Sequence, residues 1–249
     1  MKEFLTCIMD IGEQMLVCGA EVHRVEDSIQ RMCHSAGVKR VDIFIITSSM
    51  VATVHTHSGE VLTQTRRITG TGTNMEQLHR LNALSRKICT QRLGPEAIRK
   101  EFQEAMTVKA YPFWLQCLVC AVIAGAFTLF FGGGLADALV SLFVGALVKL
   151  LSKACEKAVT SRIFDKFLCA FVASLLAFFA LRLSLVENVD KVIIGNIMSL
   201  IPGIGLTNAL RDLFTGDHIA GLLRTIESVM IALVIAAGYV LSAILMGGV

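Results

Sequence analysis

The side chains best suited to chemistry lie in one weakly charged stretch, residues 195–212, towards the C-terminal end of the sequence. This stretch combines amide and hydroxyl groups with a proline and several glycines, and it ends in an arginine followed by an aspartate. If one helix runs through it, five small or polar residues fall on one face at spacings of 3, 4, 4 and 4: Asn196, Ser199, Gly203, Thr207 and Arg211. A polar face on an otherwise apolar helix is typical of a helix that lines a solute path.

Pro202 and Arg211 indicate what such a path would bind. A proline has no backbone N–H, so Pro202 leaves the carbonyl of Met198 without its helical donor, and a membrane tolerates such a group only beside protein or water. Arg211 offers a planar fork of donors that suits a carboxylate. We therefore expect a substrate pathway lined by Asn196, Ser199, Pro202, Gly203, Thr207, Asn208, Arg211 and Asp212. The alternative is that the small residues only allow close helix packing and that Arg211 contacts lipid phosphates.

Ionisable residues next to apolar segments are candidates for coupling transport to protons or other ions. A charge near the membrane interior costs free energy, so the few that occur there usually have a function. The residues with this character are Asp137, Asp217, Arg224 and Glu227, and Asp212 is a further possible proton carrier.

The elements that would position these residues are mostly membrane helices. Of the 249 residues 54% are hydrophobic and 17% are charged, the mean hydropathy is +0.66, and most charges precede Tyr111. This composition predicts an α-helical membrane protein with an N-terminal α+β cytoplasmic domain, residues 1–110, and a transmembrane domain, residues 111–249. The modest net charge of +3 argues against a nucleic-acid partner.

Apolar runs of sufficient length predict about five transmembrane helices, at residues 113–134, 135–151, 167–186, 192–210 and 228–248. The fourth is interrupted by Pro202, Gly203 and Gly205, so we expect it to be broken. Residues 149–166 contain five basic and two acidic residues, which favours a cytoplasmic loop and an N-terminus in the cytoplasm. Five crossings would then place the C-terminus outside.

The soluble domain reads as helices around a small sheet. Apolar residues at helical spacing predict two helices within residues 2–36, divided at Gly19 and closed by Gly37. Residues 41–56 and 61–66 predict a β-hairpin or meander. A capping box from Thr73 to Glu76 predicts the start of a third helix, and Gly94-Pro95 predicts the junction with a fourth.

Other patterns in the soluble domain have weaker functional interpretations. The Gly70-Thr71-Gly72 segment precedes a helix as a phosphate loop would, but a third glycine and a Gly-Lys-Ser/Thr sequence are missing. Three groups of residues are better explained as ordinary strand or helix surfaces than as metal-binding or catalytic sites. They are His55 with His57, Ser48 with Ser49, and Glu21 with Arg24 and Glu26. The eight cysteines show no disulfide framework, and we expect no metal and no cofactor.

Two longer motifs resemble the threonine/serine exporter family in its form with an N-terminal soluble domain. The first is Gly19-Ala-Glu21-Val-His-Arg24-Val25-Glu26, and the second runs from Pro202 to Asp212 and continues with Gly216-Asp217, Gly221 and Arg224. The resemblance covers nearly the whole chain. It implies export of small carboxylate-bearing metabolites, with threonine and serine or, in some relatives, succinate as substrates.

This chain differs from the fused members of that family, which have two five-span halves, because it ends after the first half. The resemblance therefore implies a separate small membrane subunit of about five spans, with a homo-oligomer as the alternative. A different interpretation is a membrane-tethered enzyme or sensor in which the N-terminal domain acts and the helices serve as an anchor.

Overall fold

A computed structural model describes residues 1–109, 111–158 and 161–247. Positions 110, 159–160 and 248–249 lie outside the described residues. The first is at the predicted domain boundary, the second pair is in the basic loop, and the last pair is at the end of the last predicted span. The chain forms two compact units. The N-terminal unit comprises Met1–Lys109 and Ile204–Ile226, and the helical unit comprises Ala110–Gly203 and Glu227–Val249. The predicted boundary between cytoplasm and membrane near residue 110 stays a prediction, whereas the contacts group residues 204–226 with the N-terminal unit.

The first part of the N-terminal unit has the predicted α+β character. Its elements are α1 (Lys2–Val17), α2 (Val22–Ser35), β1 (Arg40–Ile46), β2 (Ser49–His55), β3 (Val61–Arg67), α3 (Met75–Gln91) and α4 (Pro95–Met106). The predicted division of α1 from α2 at Gly19 is confirmed, as is the start of α4 after Gly94. The predicted capping box is shifted by one residue, because Asn74, not Thr73, caps α3 by accepting the Gln77 N–H at 3.1 Å.

The three strands form an antiparallel meander in the order β1-β2-β3. Alternate residues of the central strand, Met50, Ala52 and Val54, are buried in a core that also contains apolar residues of α1 to α4. The period-2 alternation of a strand places the intervening residues on the opposite face of the sheet. That face includes Phe44, which is 57% exposed.

The second part of the N-terminal unit comes from the C-terminal half of the sequence. It consists of α9 (Gly203–Thr215) from Ile204 onward and the first nine residues of α10 (His218–Leu245). Between them Gly216 has a φ of +100°, a left-handed conformation that glycine adopts without steric cost. We call residues 204–226 the α9–α10 hairpin.

The helical unit contains α5 (Phe113–Phe130), α6 (Leu135–Ala158), α7 (Arg162–Arg182), α8 (Val189–Ile197) and the remainder of α10. Within the described part of the chain, four helices are long and apolar enough to cross a membrane: Phe113–Phe130, Leu135–Glu156, Ile163–Arg182 and His218–Leu245. The sequence predicted about five such helices, and the described residues contain one fewer.

The missing span is the fourth predicted one, residues 192–210. The predicted break is confirmed, and it is complete: α8 ends at Ile197, residues 198–202 form a turn, and α9 starts at Gly203. At 1.5 Å per residue the nine residues of α8 extend only about 14 Å, less than half of a hydrocarbon core of about 30 Å. Residues 192–210 are uncharged throughout, so the sequence predicted one span, although they belong to two helices, α8 and α9, in different units.

Close packing holds α8 inside the helical unit, where it contacts α5, α6 and α7. A Cβ atom at Gly195 would lie 2.1 Å from Oγ1 of Thr128, so only glycine permits this approach of α8 to α5. Small residues commonly allow membrane helices to approach closely in this way.

Candidate functional site

The two sequence motifs meet in the N-terminal unit. Four consecutive residues of the turn between α1 and α2 each contact a residue of the α9–α10 hairpin, and we call this set the motif contact. Asn208 Nδ2 donates to the Gly19 carbonyl at 2.9 Å, and Arg224 Nη2 donates to the Ala20 carbonyl at 2.8 Å. Arg211 Nη1 donates to the Glu21 carboxylate, and the Val22 N–H donates to Asp212 Oδ1 at 3.1 Å.

The start of α2 explains why a carboxylate binds there. Val22 is the first residue of α2, and the first N–H groups of a helix have no intrahelical acceptor. Asp212 supplies an acceptor and a negative charge at the positive end of the helix, although it lies 190 residues away in sequence. Glu21 occupies the cap position of α2, but its side chain makes no capping hydrogen bond and instead binds Arg211.

Gly19 fixes the shape of the turn. Its φ is +92°, and a Cβ atom there would lie 2.6 Å from the Gly72 carbonyl oxygen. Gly72 in turn donates its N–H to the Val17 carbonyl at 2.7 Å, and the Asn74 N–H donates to the Cys18 carbonyl at 3.1 Å. The glycine segment considered as a phosphate loop therefore supports the turn that makes the motif contact.

The α9–α10 hairpin is closed by the other residues of the second motif. The Asp217 N–H donates to the Asp212 carbonyl at 2.9 Å, and the Gly221 N–H donates to the Asp217 carbonyl at 2.9 Å. A Cβ atom at Gly221 would lie 2.8 Å from the backbone nitrogen of Leu213 and 2.9 Å from the Ala209 carbonyl oxygen. The two helices can therefore approach this closely only where α10 has a glycine.

Two ion pairs in the motif contact differ in their exposure to solvent. Arg224 Nη1 lies 3.1 Å from Asp212 Oδ2, and these side chains are 11% and 0% exposed. Arg211 pairs with Glu21, and these side chains are 57% and 17% exposed. Removing one partner of a buried pair typically costs about 3–5 kcal/mol, whereas an exposed pair contributes about 0–1 kcal/mol. The Asp212–Arg224 pair therefore suits a structural role, whereas the Arg211–Glu21 pair has an exposed guanidinium and a largely buried carboxylate.

Two carboxylates near the motif contact, those of Glu26 and Asp212, have raised pKa values. The pKa of Glu26 is raised to about 7, mainly by burial and also by the charges of Asp217 and Asp212, while the Ile45 N–H and His23 oppose the shift. Burial also raises the pKa of Asp212, although Arg224 and the Val22 N–H lower it. The sequence pattern indicated only an ordinary helix surface at Glu26, because neither its burial nor its proximity to Asp217, 191 residues away, can be read from neighbouring residues.

The predicted pathway residues are divided between the two units. Asn208, Arg211 and Asp212 come together in the motif contact, and Thr207 lies beside them on α9, whereas Asn196, Ser199 and Pro202 belong to the helical unit. Gly203 begins α9 at the boundary. The single polar face of five residues is not formed, because it required one helix to run through residues 198–202.

Within the helical unit Asn196 faces protein and is 1% exposed. Its Nδ2 donates to the Val192 carbonyl at 2.9 Å, while its Oδ1 has no hydrogen-bond partner among the residues that the structure describes. Ser199 Oγ donates to the Asn196 carbonyl at 3.0 Å. Asn196 therefore keeps one buried acceptor available to a water or a solute.

A cavity of about 440 Å³ lies between α8 and α10 in the same unit. Apolar side chains make up most of its wall, including Ile193, Ile197, Ile201 and Ile235, with Tyr239 and Asp190 also contributing. Neither Asn196 nor Ser199 lines it, so this cavity is not the polar path expected from the sequence.

Asp137 is an anchor between two connections of the helical unit. Its carboxylate is 1% exposed and accepts the N–H groups of Gly134 at 2.8 Å, Glu187 at 2.9 Å and Asn188 at 3.3 Å, together with Asn188 Nδ2 at 3.0 Å. These bonds hold the α5–α6 connection to the α7–α8 connection. A role for Asp137 in proton coupling stays a prediction.

The remaining coupling candidates occupy three environments. Asp217 precedes α10, and its Oδ2 is buried without a hydrogen-bond partner among the described residues. Arg224 makes the buried pair with Asp212, and Glu227 is exposed on α10. Asp217 is therefore the one with a buried acceptor beside another carboxylate, that of Glu26.

A family model described as "Putative threonine/serine exporter" matches residues 6–246. The chain belongs to the threonine/serine exporter family. Two relatives are each named "Probable succinate transporter subunit YjjP". That of Klebsiella aerogenes is 25% identical over 234 residues, 94% of this chain and 90% of the relative. That of Escherichia coli K12 is 24% identical over 237 residues, 95% of this chain and 92% of the relative. No solved structure matches the chain.

Residues of both motifs on which the resemblance was based meet in the motif contact. Family membership and the apolar helices together make the chain a membrane protein of an exporter family.

Proposed function

We propose that this chain is a subunit of a secondary exporter that moves small carboxylate-bearing metabolites across the cytoplasmic membrane, with the N-terminal domain in the cytoplasm. Family membership supports export, and the names of the two relatives support a subunit that works with a partner. The basic residues of the loop at 149–166 support a cytoplasmic N-terminal side. The partner is a small membrane subunit of about five spans.

The substrate class follows from the chemistry of Arg211. Threonine, serine and succinate share a carboxylate, and a guanidinium binds a carboxylate through two parallel hydrogen bonds. The observation that carries this assignment is that Arg211 is 57% exposed and pairs with one carboxylate, that of Glu21, through a single nitrogen. A substrate carboxylate competes with Glu21 for the exposed guanidinium of Arg211, which costs less than breaking the fully buried Asp212–Arg224 pair.

The other predicted residues take supporting roles in this proposal. Asn196, Ser199 and Thr207 offer polar groups to the substrate along its path, and the break at Pro202 and Gly203 lets α8 and α9 belong to different units. Asn208, Asp212 and Arg224 hold the hairpin on the turn between α1 and α2. Proton coupling is assigned to Asp217 with Glu227, and Asp137 keeps the helical connections together.

Efflux from cells tests the proposal. Cells that lack their own exporters are loaded with threonine, serine or succinate, and efflux is measured with the chain alone, with the candidate small membrane subunit alone, and with both. We expect efflux of at least one of these substrates only when both are present. Absence of partner-dependent efflux for all three would favour the alternative, a membrane-tethered enzyme or sensor.

Substitution of Arg211 tests its part. Arg211→Lys keeps the positive charge but loses the planar fork, so we expect efflux to fall about tenfold or more with unchanged protein abundance. Arg31→Lys is the matched control, because Arg31 also makes an exposed pair, with Asp27, on the surface of α2. Equal efflux from the two variants would remove Arg211 from substrate binding.

A further inference from the structure

The α9–α10 hairpin has a second face, which is exposed and lies away from the residues of the motif contact. One side of the hairpin makes the motif contact, through Asn208, Asp212 and Arg224. Another side of α9 exposes Leu206, Leu210 and Phe214, which follow one another at four-residue spacing. Phe214 is 87% exposed, more than any other large apolar side chain in the described part of the chain.

On α10 the exposed apolar face continues without interruption into the membrane-crossing part of the helix. Six of its exposed members fall at spacings of 3, 4 or 7, which places them on one face: Ile219, Leu222, Ile226, Leu233, Val240 and Ile244. The face therefore begins in the N-terminal unit and extends along a helix that has the length and composition of a membrane span.

The length of this face exceeds what a membrane span requires. The 26 residues from Ile219 to Ile244 extend about 38 Å, whereas the hydrocarbon core is about 30 Å thick. If the C-terminal part of α10 fills the core, the two turns that contain Ile219, Leu222 and Ile226 reach the interfacial region, where lipid head groups begin.

The size of the side chains on this face indicates whether lipid or another protein covers it. Contacts between membrane helices are enriched in small residues, because these allow the backbones to approach. The large exposed side chains on this face of the hairpin are instead isoleucine, leucine and phenylalanine, and Thr207 lies at its edge. An interfacial amphipathic helix has large apolar side chains on one face and charged or polar groups on the other. The hairpin matches this description, with the motif contact on its polar side.

We propose that the apolar face of the α9–α10 hairpin lies in the interfacial region of the lipid bilayer, so that the hairpin attaches the N-terminal unit to the membrane surface. Phe214, Leu210 and Leu206 on α9 and Ile219, Leu222 and Ile226 on α10 insert among the first carbons of the lipid chains. The inference concerns lipid contact and does not depend on which substrate the protein moves.

Fluorescence quenching by brominated lipid tests this inference. The native Trp114 is removed by Trp114→Phe, and Phe214→Trp is introduced into the full chain in phosphatidylcholine vesicles. Replacing the lipid by an analogue that has bromine near the head-group end of its chains should reduce the emission at least about twofold, because an interfacial side chain lies about 5–10 Å deep. Leu210→Trp provides a second probe if Phe214→Trp does not fold.

Phe44→Trp in the same background is the matched control, since Phe44 is exposed on the outer face of the sheet. We expect its emission to be unchanged by bromine. Quenching of Phe214→Trp and Leu210→Trp no stronger than that of Phe44→Trp would overturn the inference. Loss of their quenching when the candidate small membrane subunit is present would also overturn it, because protein and not lipid would then cover this face.

Discussion

Arg211 and Arg224 lie on the same hairpin and both bind carboxylates, yet their surroundings give them different roles. Arg224 is almost fully buried, forms an ion pair with Asp212 and donates to the Ala20 carbonyl, so its removal leaves the buried Asp212 charge without its partner. Arg211 is largely exposed and binds only the side chain of Glu21 in the motif contact. Of the two arginines, Arg211 is therefore the more accessible to another carboxylate.

The buried pair predicts a large effect on stability. Asp212→Asn keeps an oxygen for the Val22 N–H but removes the charge that faces Arg224, so we expect the free energy of unfolding to fall by about 3–5 kcal/mol. Thermal unfolding of the full chain in detergent, followed by circular dichroism, measures the change. Asp27→Asn, which breaks the exposed pair with Arg31, should cost less than about 1 kcal/mol. Similar losses in both variants would contradict the structural role.

Glu26 predicts a dependence of stability on pH. Its folded pKa of about 7 exceeds the ordinary 4.5, so the folded state holds a proton that the unfolded state releases between these values. Stability therefore falls as the pH rises from 4.5 to about 7, and the whole penalty is present above that range.

Replacing Glu26 by glutamine should remove this penalty. We expect Glu26→Gln to unfold at a higher temperature than the unmodified chain at about pH 8 and at nearly the same temperature at about pH 4.5. Glu104→Gln, at an exposed position on α4, is the control. A difference between Glu26→Gln and the unmodified chain that does not change with pH would show that ionisation of Glu26 is not involved.

At the scale of elements, the turn between α1 and α2 is held on two sides, by the Gly72 segment and by the α9–α10 hairpin. Gly19 and Gly59 both have a left-handed backbone, with φ of +92° and +84°. A Cβ atom at Gly19 would lie 2.6 Å from a backbone oxygen, whereas a Cβ atom at Gly59 would meet nothing within 4 Å.

Comparing alanine substitutions at these two glycines separates two costs in stability. Both substitutions strain a left-handed backbone, but only the one at Gly19 also creates a clash with the Gly72 carbonyl oxygen. Gly59→Ala should destabilise the chain by about 1 kcal/mol, and Gly19→Ala by about 2–4 kcal/mol, because the turn must also move away from Gly72. Chemical denaturation of the N-terminal unit, followed within the full chain, measures both. Equal effects would mean that the Gly72 segment moves freely and does not fix the turn.

Elements defined by neighbouring residues could be predicted from the sequence, and those defined by distant contacts could not. Gly19, Gly37 and Gly94-Pro95 mark helix ends because glycine and proline act through their own backbone. The division of residues 192–210 into helices of two units could not be predicted, because hydropathy does not reveal that Asp212 caps α2. For the same reason the sequence indicated Asn208, Arg211 and Asp212 as candidates and Gly19–Val22 as part of a family motif, but not that these two segments contact each other.

At the scale of the whole molecule, the chain enters the N-terminal unit twice, at Met1–Lys109 and at Ile204–Ile226. The intervening residues belong to the helical unit, and α10 begins in one unit and continues in the other. This connectivity explains why the family motifs occur in both halves of the sequence: each supplies one side of the motif contact. A deletion of residues 1–108 should therefore remove the partners of Arg211 and Asp212 as well as a soluble domain.

The most direct test of this account measures efflux against the internal substrate concentration, with the chain and its candidate partner, for the unmodified protein, Glu21→Gln and Arg211→Gln. If Arg211 exchanges Glu21 for the substrate carboxylate, Glu21→Gln should lower the half-saturating concentration by up to about fivefold, the equivalent of about 1 kcal/mol. Arg211→Gln should abolish saturable efflux. An unchanged or higher half-saturating concentration in Glu21→Gln, or normal efflux in Arg211→Gln, would contradict the account.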